Sequence, residues 1–243
     1  MRAGRGIVTG TAVVLTATLT ACTGQPATQA STSSAPSSSS LVATGSVPTV
    51  PNDLASNSAH HTLEVPGEQF ALTVDYYLTD YDAADWQTLQ PKNVHLSAHL
   101  VPVAGAAGDA PEVLIGSFSG ITTVLAAMPG LDGLPIAATE QTPDAIPGYL
   151  INANYPYDNV LTIEGFSPAL SDRWALLAGD QPLTEPGLVA AGVYANRISF
   201  SYRVLVKNNG DAGYHQRIIT DSLTVSEAAP ASAATSTPAT PSG

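Results

Sequence analysis

Asp80, Asp82 and Asp85 stand in the most acidic and aromatic stretch of the chain, running from Asp75 to Trp86. Their i, i+2, i+5 spacing gathers hard oxygen donors of the kind that hold a cation such as calcium. The EF-hand pattern is absent, because no glycine and no distal glutamate follow at its spacing. The plainer reading is a loop in which Asp82 caps a helical turn. Tyr77 and Tyr81 then offer rings on which a sugar or a peptide could stack.

The other chemistry-bearing residues form no catalytic or metal pattern. His95 and His99 look like H-x-x-x-H, but the local apolar period is two. Four residues of strand span about 13 Å, too far for one zinc ion. His60 and His61 sit at the edge of a polar linker, and His215 stands alone. Gly116-Ser117-Phe118-Ser119-Gly120 has the letters of a nucleophile elbow in the wrong order and lies in a strand pattern. Glu164 is the acid to inspect for glycoside hydrolysis, although a partner carboxylate is invisible in sequence. No catalytic residue, metal ligand or cofactor is assigned.

Cations are the more informative group. Arg197, Arg203 and Lys207 alternate with Ile198, Phe200, Tyr202, Val204 and Val206, so the three share the face opposite the apolar one. Arg217 adds a fourth cation to the same C-terminal hairpin. With 20 acidic and 8 basic residues in the chain, this is a local basic face on an acidic protein. It would suit an acidic protein, an anionic lipid headgroup or a polysaccharide. Alternatively, Asp75 or Asp221 neutralises it across the strands, and the cations protect a sheet edge.

Period-two alternation is what positions these residues. It runs through Phe70–Thr79, Val94–Val101 and Arg197–Lys207, the mark of antiparallel strands with one buried and one wet face. Shorter apolar runs at Val113–Phe118, Ile121–Ala127, Tyr149–Asn152, Val160–Phe166 and Ile218–Val225 are bounded by turn residues. Asn208-Asn209-Gly210-Asp211 joins the last pair as a hairpin. Ser167-Pro168 opens one helix and Gly179 stops it, and a shorter turn starts at Asp82. The expected fold is mainly β, an antiparallel β-sandwich, immunoglobulin-like in outline, of about eight or nine strands with one or two short helices. A closed barrel is the competing architecture.

The two ends of the chain differ from its middle. Arg2 and Arg5 precede an uncharged stretch from Gly6 to Ala21, which ends in Leu19-Thr20-Ala21-Cys22. That stretch has the length of a signal-peptide core and is too short to span a bilayer. Cys22 is the one cysteine, so no internal disulfide can form. The tetrapeptide resembles the lipobox of bacterial surface lipoproteins, in particular those of high-GC actinobacteria and mycobacteria. The resemblance implies cleavage before Cys22, acylation of its thiol and anchoring on the outer side of the cell membrane. The expected organisation is a signal peptide over 1–21, a Ser/Thr/Ala/Pro tether over 22–60, one folded domain over 61–226 and a disordered tail over 227–243.

The formal net charge is −12, and loss of Arg2 and Arg5 makes the mature chain more acidic still, which excludes nucleic acid as a natural partner. With 44% hydrophobic and 12% charged residues the middle is not a charge-solvated disordered chain. The expected function is a non-catalytic binding or interaction module of the envelope, with a lipid, a protein or an envelope component as partner. One alternative is a carrier that holds an apolar ligand in a cavity of about 300 Å³ or more. An envelope glycan hydrolase is the other.

Overall fold

A computed structural model describes residues 41, 43, 46–105, 110–142 and 147–228. Its strands are β1 (Ser58–Glu64), β2 (Phe70–Tyr77), β3 (Lys92–Pro102), β4 (Glu112–Ala126), β5 (Pro135–Gln141), β6 (Tyr149–Ile151), β7 (Tyr157–Ile163), β8 (Val193–Lys207) and β9 (His215–Ser226). Two helices, α1 (Pro168–Ala178) and α2 (Glu185–Ala190), lie between β7 and β8, and a 3-10 turn covers Ala83–Asp85. The first sheet runs β1-β2-β3-β7 and the second β5-β4-β8-β9, with β6 also on β4. Every pairing is antiparallel. The protein is a mainly β, two-sheet sandwich. Three consecutive strands share the first sheet, so the likeness to an immunoglobulin domain stops at the two-layer outline.

Burial follows the alternation. Ile198, Phe200, Tyr202, Val204 and Val206 of β8 are buried, as are Leu72, Val74 and Tyr76 of β2 and Val94, Leu96 and Ala98 of β3. Four rings fill the middle of the sandwich. Tyr76 stacks on Phe200 at 4.6 Å, and Phe118 lies 5.5 Å from Tyr202. The two buried phenol groups satisfy each other, Tyr76 Oη and Tyr202 Oη being 2.9 Å apart, and Tyr76 also donates to Asp221 Oδ2 at 2.8 Å.

Several elements depart from the sequence reading. The two apolar runs at 113–118 and 121–127 form one 15-residue strand, β4. Gly120 does not break it but makes room. A Cβ there would come within 2.9 Å of Leu161 Cδ1 on the facing sheet. Gly116 forms a bulge, skipped in the register between Ile115 and Ser117. β1, β5 and α2 have no counterpart among the expected elements.

The folded part is also longer than 61–226. β1 begins at Ser58, Leu54 is fully buried, and Asp53 brackets β9. The Asp53 amide donates to Thr224 O at 2.8 Å, and its Oδ2 accepts from the Thr224 amide at 2.6 Å. At the other end, the Ala228 amide donates to Trp86 O at 2.7 Å. These bonds anchor backbone that composition alone assigns to the tether and the tail. The signal peptide, Cys22, most of the tether and residues 229–243 lie outside the described residues.

Polar groups close the side where β1 meets β9. His61 Nδ1 lies 2.8 Å from Asp221 Oδ2, and Arg217 Nη2 and His215 Nε2 each lie 2.9 Å from Glu68 Oε1. A second polar cluster closes the end where α2 packs. There the Thr88 amide donates to Glu185 Oε1 at 2.8 Å and Glu227 Oε1 at 2.9 Å, and the Leu89 amide donates to Glu185 Oε2 at 2.9 Å. Asn196 accepts from Trp86 Nε1 at 2.8 Å and donates to Thr88 Oγ1 at 3.0 Å. With no such partners, each buried donor or acceptor would cost about 1–3 kcal/mol.

Candidate binding face

The outward face of the second sheet is assembled row by row from cross-strand register. Ser117, Arg203 and Ile218 form one row, and Glu140, Ser119, Ser201 and Thr220 the next. Ala138, Ile121, Ser199 and Ser222 follow, and then Thr123, Arg197 and Thr224. Directly opposed residues share a face, so short hydroxyl side chains line the floor between two arginines. The floor dips into a shallow, open depression of about 510 Å³ lined by Ser119, Ile121, Ser199, Ser201, Thr220 and Ser222, with Phe200 and Asp221 also reaching its lining. Ile121 in the depression and Ile218 in the Arg203 row are exposed, at 46% and 63%.

The Gly116 bulge sets the direction of Arg203. Its Nη2 donates to Gly116 O at 2.9 Å and its Nε to Ser117 Oγ at 3.2 Å. One edge of the guanidinium is thereby taken by the protein, and the Nη1 edge keeps its donors. Arg197 is exposed. Among the described residues no carboxylate lies within 4.0 Å of Arg197, Arg203 or Lys207. Lys207 sits opposite Glu112 and 5.9 Å above the Tyr214 ring, whose hydroxyl donates to Glu112. Its charge therefore has an acidic neighbour in register, whereas the residues opposite Arg197 and Arg203 on both flanking strands are Thr123, Thr224, Ser117 and Ile218.

Arg217 does not join this face. It lies opposite Val204, on the core side of β9, and pairs with Glu68 at 2.9 Å. Asp221, read as a neutraliser of the cations, lies opposite Phe200 and points the same way, toward His61 and Tyr76. Asp75 is in the first sheet, 2.6 Å from His60 Nδ1.

The acidic and aromatic segment stays apart from that face. Asp82 Oδ1 accepts from the Ala84 amide at 2.9 Å as the cap of the 3-10 turn, while Asp80 and Asp85 are exposed. Tyr81 is half-buried, edge-on to Trp86 at 6.0 Å, and its hydroxyl donates to Asp85 O. Burial raises its pKa. Tyr77 stacks on His95 at 5.3 Å, and His95 Nε2 meets Thr79 Oγ1 at 3.0 Å. Among the described residues no group of three or more His, Cys, Asp or Glu is placed to hold a metal ion. Glu164 follows β7 and is the one acid lining a shallow apolar depression beside Phe166 and Pro135.

The titratable cluster that sequence reading missed is the one closing the α2 end. Burial and the adjacent Glu185 carboxyl push Glu227 up to about 9, so near neutrality it keeps a proton that it shares with Glu185. Burial brings Lys92 down to about 8; its ammonium lies 4.5 Å over the Trp86 ring and donates to Gln87 O at 2.5 Å. Both carboxylates are engaged with the Thr88 amide, so this is a closure of the fold and not a pair held apart around a substrate.

No family model matches the chain, and no curated protein matches it. Among solved structures, a protein from Archaeoglobus fulgidus is similar at 6% identity and a TM-score of 0.23, over 69% of this chain and 94% of that one. A likeness that slight carries no argument about function.

Proposed function

We propose that the chain is a lipid-anchored envelope protein whose sandwich is a non-catalytic binding module, held outside the cell membrane on a polar tether. The observation that carries this reading is the outer face of the second sheet, where among the described residues two arginines stand with no acid within 4.0 Å on an otherwise acidic chain. One further feature supports it. The rings of Tyr76, Phe118, Phe200 and Tyr202 occupy the space between the sheets that a carried apolar ligand would need.

Anchoring rests on Leu19-Thr20-Ala21-Cys22. Two acyl chains at about 0.8 kcal/mol per buried methylene hold a protein stably where one does not. Detergent phase partition tests it. The wild-type chain enters the detergent phase and takes up a fatty-acid label, and Cys22→Ala moves to the aqueous phase unlabelled. Equal partition of the two would overturn the anchor.

A further inference from the structure

We infer that the hydroxyl floor between Arg197 and Arg203 is a subsite for an extended acidic polysaccharide; this rests on the binding-module reading and names its ligand. Six residues of strand separate the backbone positions of the two arginines by about 20 Å. A ligand that meets both is a polymer and not one small anion. Between them Ser119, Ser199, Ser201, Thr220 and Ser222 present hydroxyls that both donate and accept, which matches the hydroxyls of a sugar chain. Ile121 and Ile218 supply exposed apolar contacts for sugar C–H faces.

Other occupants fit less well. An acidic peptide would dock as an added strand on free backbone, but this face is the middle of a paired sheet. An acyl chain needs an apolar slot, and this depression is shallow and lined mainly by serine and threonine. Charge selects the anionic polymer over a neutral one. The two arginines have no acid within 4.0 Å among the described residues, and Glu140 stands at the β5 edge, off the line that joins them. The carboxylate of Asp221, the one acid in the lining of the depression, is engaged by His61 and Tyr76. The free edge of Arg203, held in place through Gly116 O and Ser117 Oγ, is preset to accept a carboxylate.

The test is binding of the full chain in mild detergent to immobilised polygalacturonate, with dextran, polyglutamate and phosphatidylglycerol vesicles in parallel. Polygalacturonate is bound at low salt and released as salt rises, and dextran is not bound. Arg197→Ala with Arg203→Ala lowers the affinity about tenfold or more, the scale of losing charge-assisted hydrogen bonds. Arg197→Ala alone, at an exposed residue, gives a smaller loss without risk to the fold. Binding that the double variant retains would overturn this subsite while leaving the module reading intact. Arginine-dependent binding to polyglutamate or to vesicles, in place of polygalacturonate, would overturn the polysaccharide and keep the face. Failure to bind any of the four, or an isolated cell envelope, would overturn both.

Discussion

Glu227→Gln should change how stability depends on pH, because the wild-type carboxyl keeps its proton in the fold up to about 9 while the unfolded chain loses it near 4.5. Across that window the folded state binds one more proton, so wild-type stability falls as pH rises. The contribution is fully present below 4.5 and is lost by about 9. The limiting slope is about 1.4 kcal/mol per pH unit, or roughly 3–6 °C in Tm per unit for a domain of this size. Lys92 acts with the opposite sign, but only between about 8 and its ordinary 10.5. Gln is a neutral stand-in for the protonated acid and has no proton to lose. Thermal unfolding of both proteins at half-unit steps from pH 5 to 8 reads the effect as a difference. The variant gains on the wild type as pH rises, and titrating groups elsewhere cancel. Parallel Tm curves would show that Glu227 is ionised in the fold and would refute the shared proton.

Gly120→Ala places a methyl 2.9 Å from Leu161 Cδ1 and should lower stability by about 1–3 kcal/mol in denaturant unfolding. Phe200→Ala opens the ring stack and should cost about 3–5 kcal/mol, read as a lower denaturant midpoint. A chain that starts at Ser58 loses buried Leu54 and the Asp53–Thr224 bracket. It should unfold at a lower temperature than one starting at Ser46, and equal melting would show that the segment contributes nothing. Trp86→Phe leaves Asn196 Oδ1 without its donor and should cost about 1–3 kcal/mol by the same unfolding assay.

The strands that alternate strongly were legible because one face is fully buried, as in β8 and β3. β1 was not, since its inward residues are only partly buried and its sequence, Ser58–Glu64, holds a single large aliphatic side chain, Leu63. β5 opens on Pro135 and fully buries only Ile136, so it shows no period. The glycines of β4 looked like punctuation; Gly120 answers to a facing Leu161, a contact between sheets that no local pattern contains. Arg197 and Arg203 could be placed on a common face from spacing alone. Arg217 could be separated from them by the same parity, since it falls in line with Ile219, Leu223 and Val225, which the structure buries, whereas Ile218 is the one apolar residue of the other parity and is exposed. The serine rows needed the register of three strands. Glu227 was hidden in the composition of the tail, and only its bonds with Thr88 reveal its place in the fold.

The central claim is that this molecule meets the envelope through the outer face of its second sheet. Hydroxyl-radical footprinting of the full chain, free and mixed with isolated cell envelope at low salt, tests it most directly. Four exposed residues serve as reporters: Ile121 and Ile218 on that face, and Tyr155 and Leu176, which belong to none of its rows. The account predicts that envelope lowers oxidation at Ile121 and Ile218 and leaves Tyr155 and Leu176 unchanged. Protection of Tyr155 or Leu176 with Ile121 and Ile218 still fully reactive would contradict it.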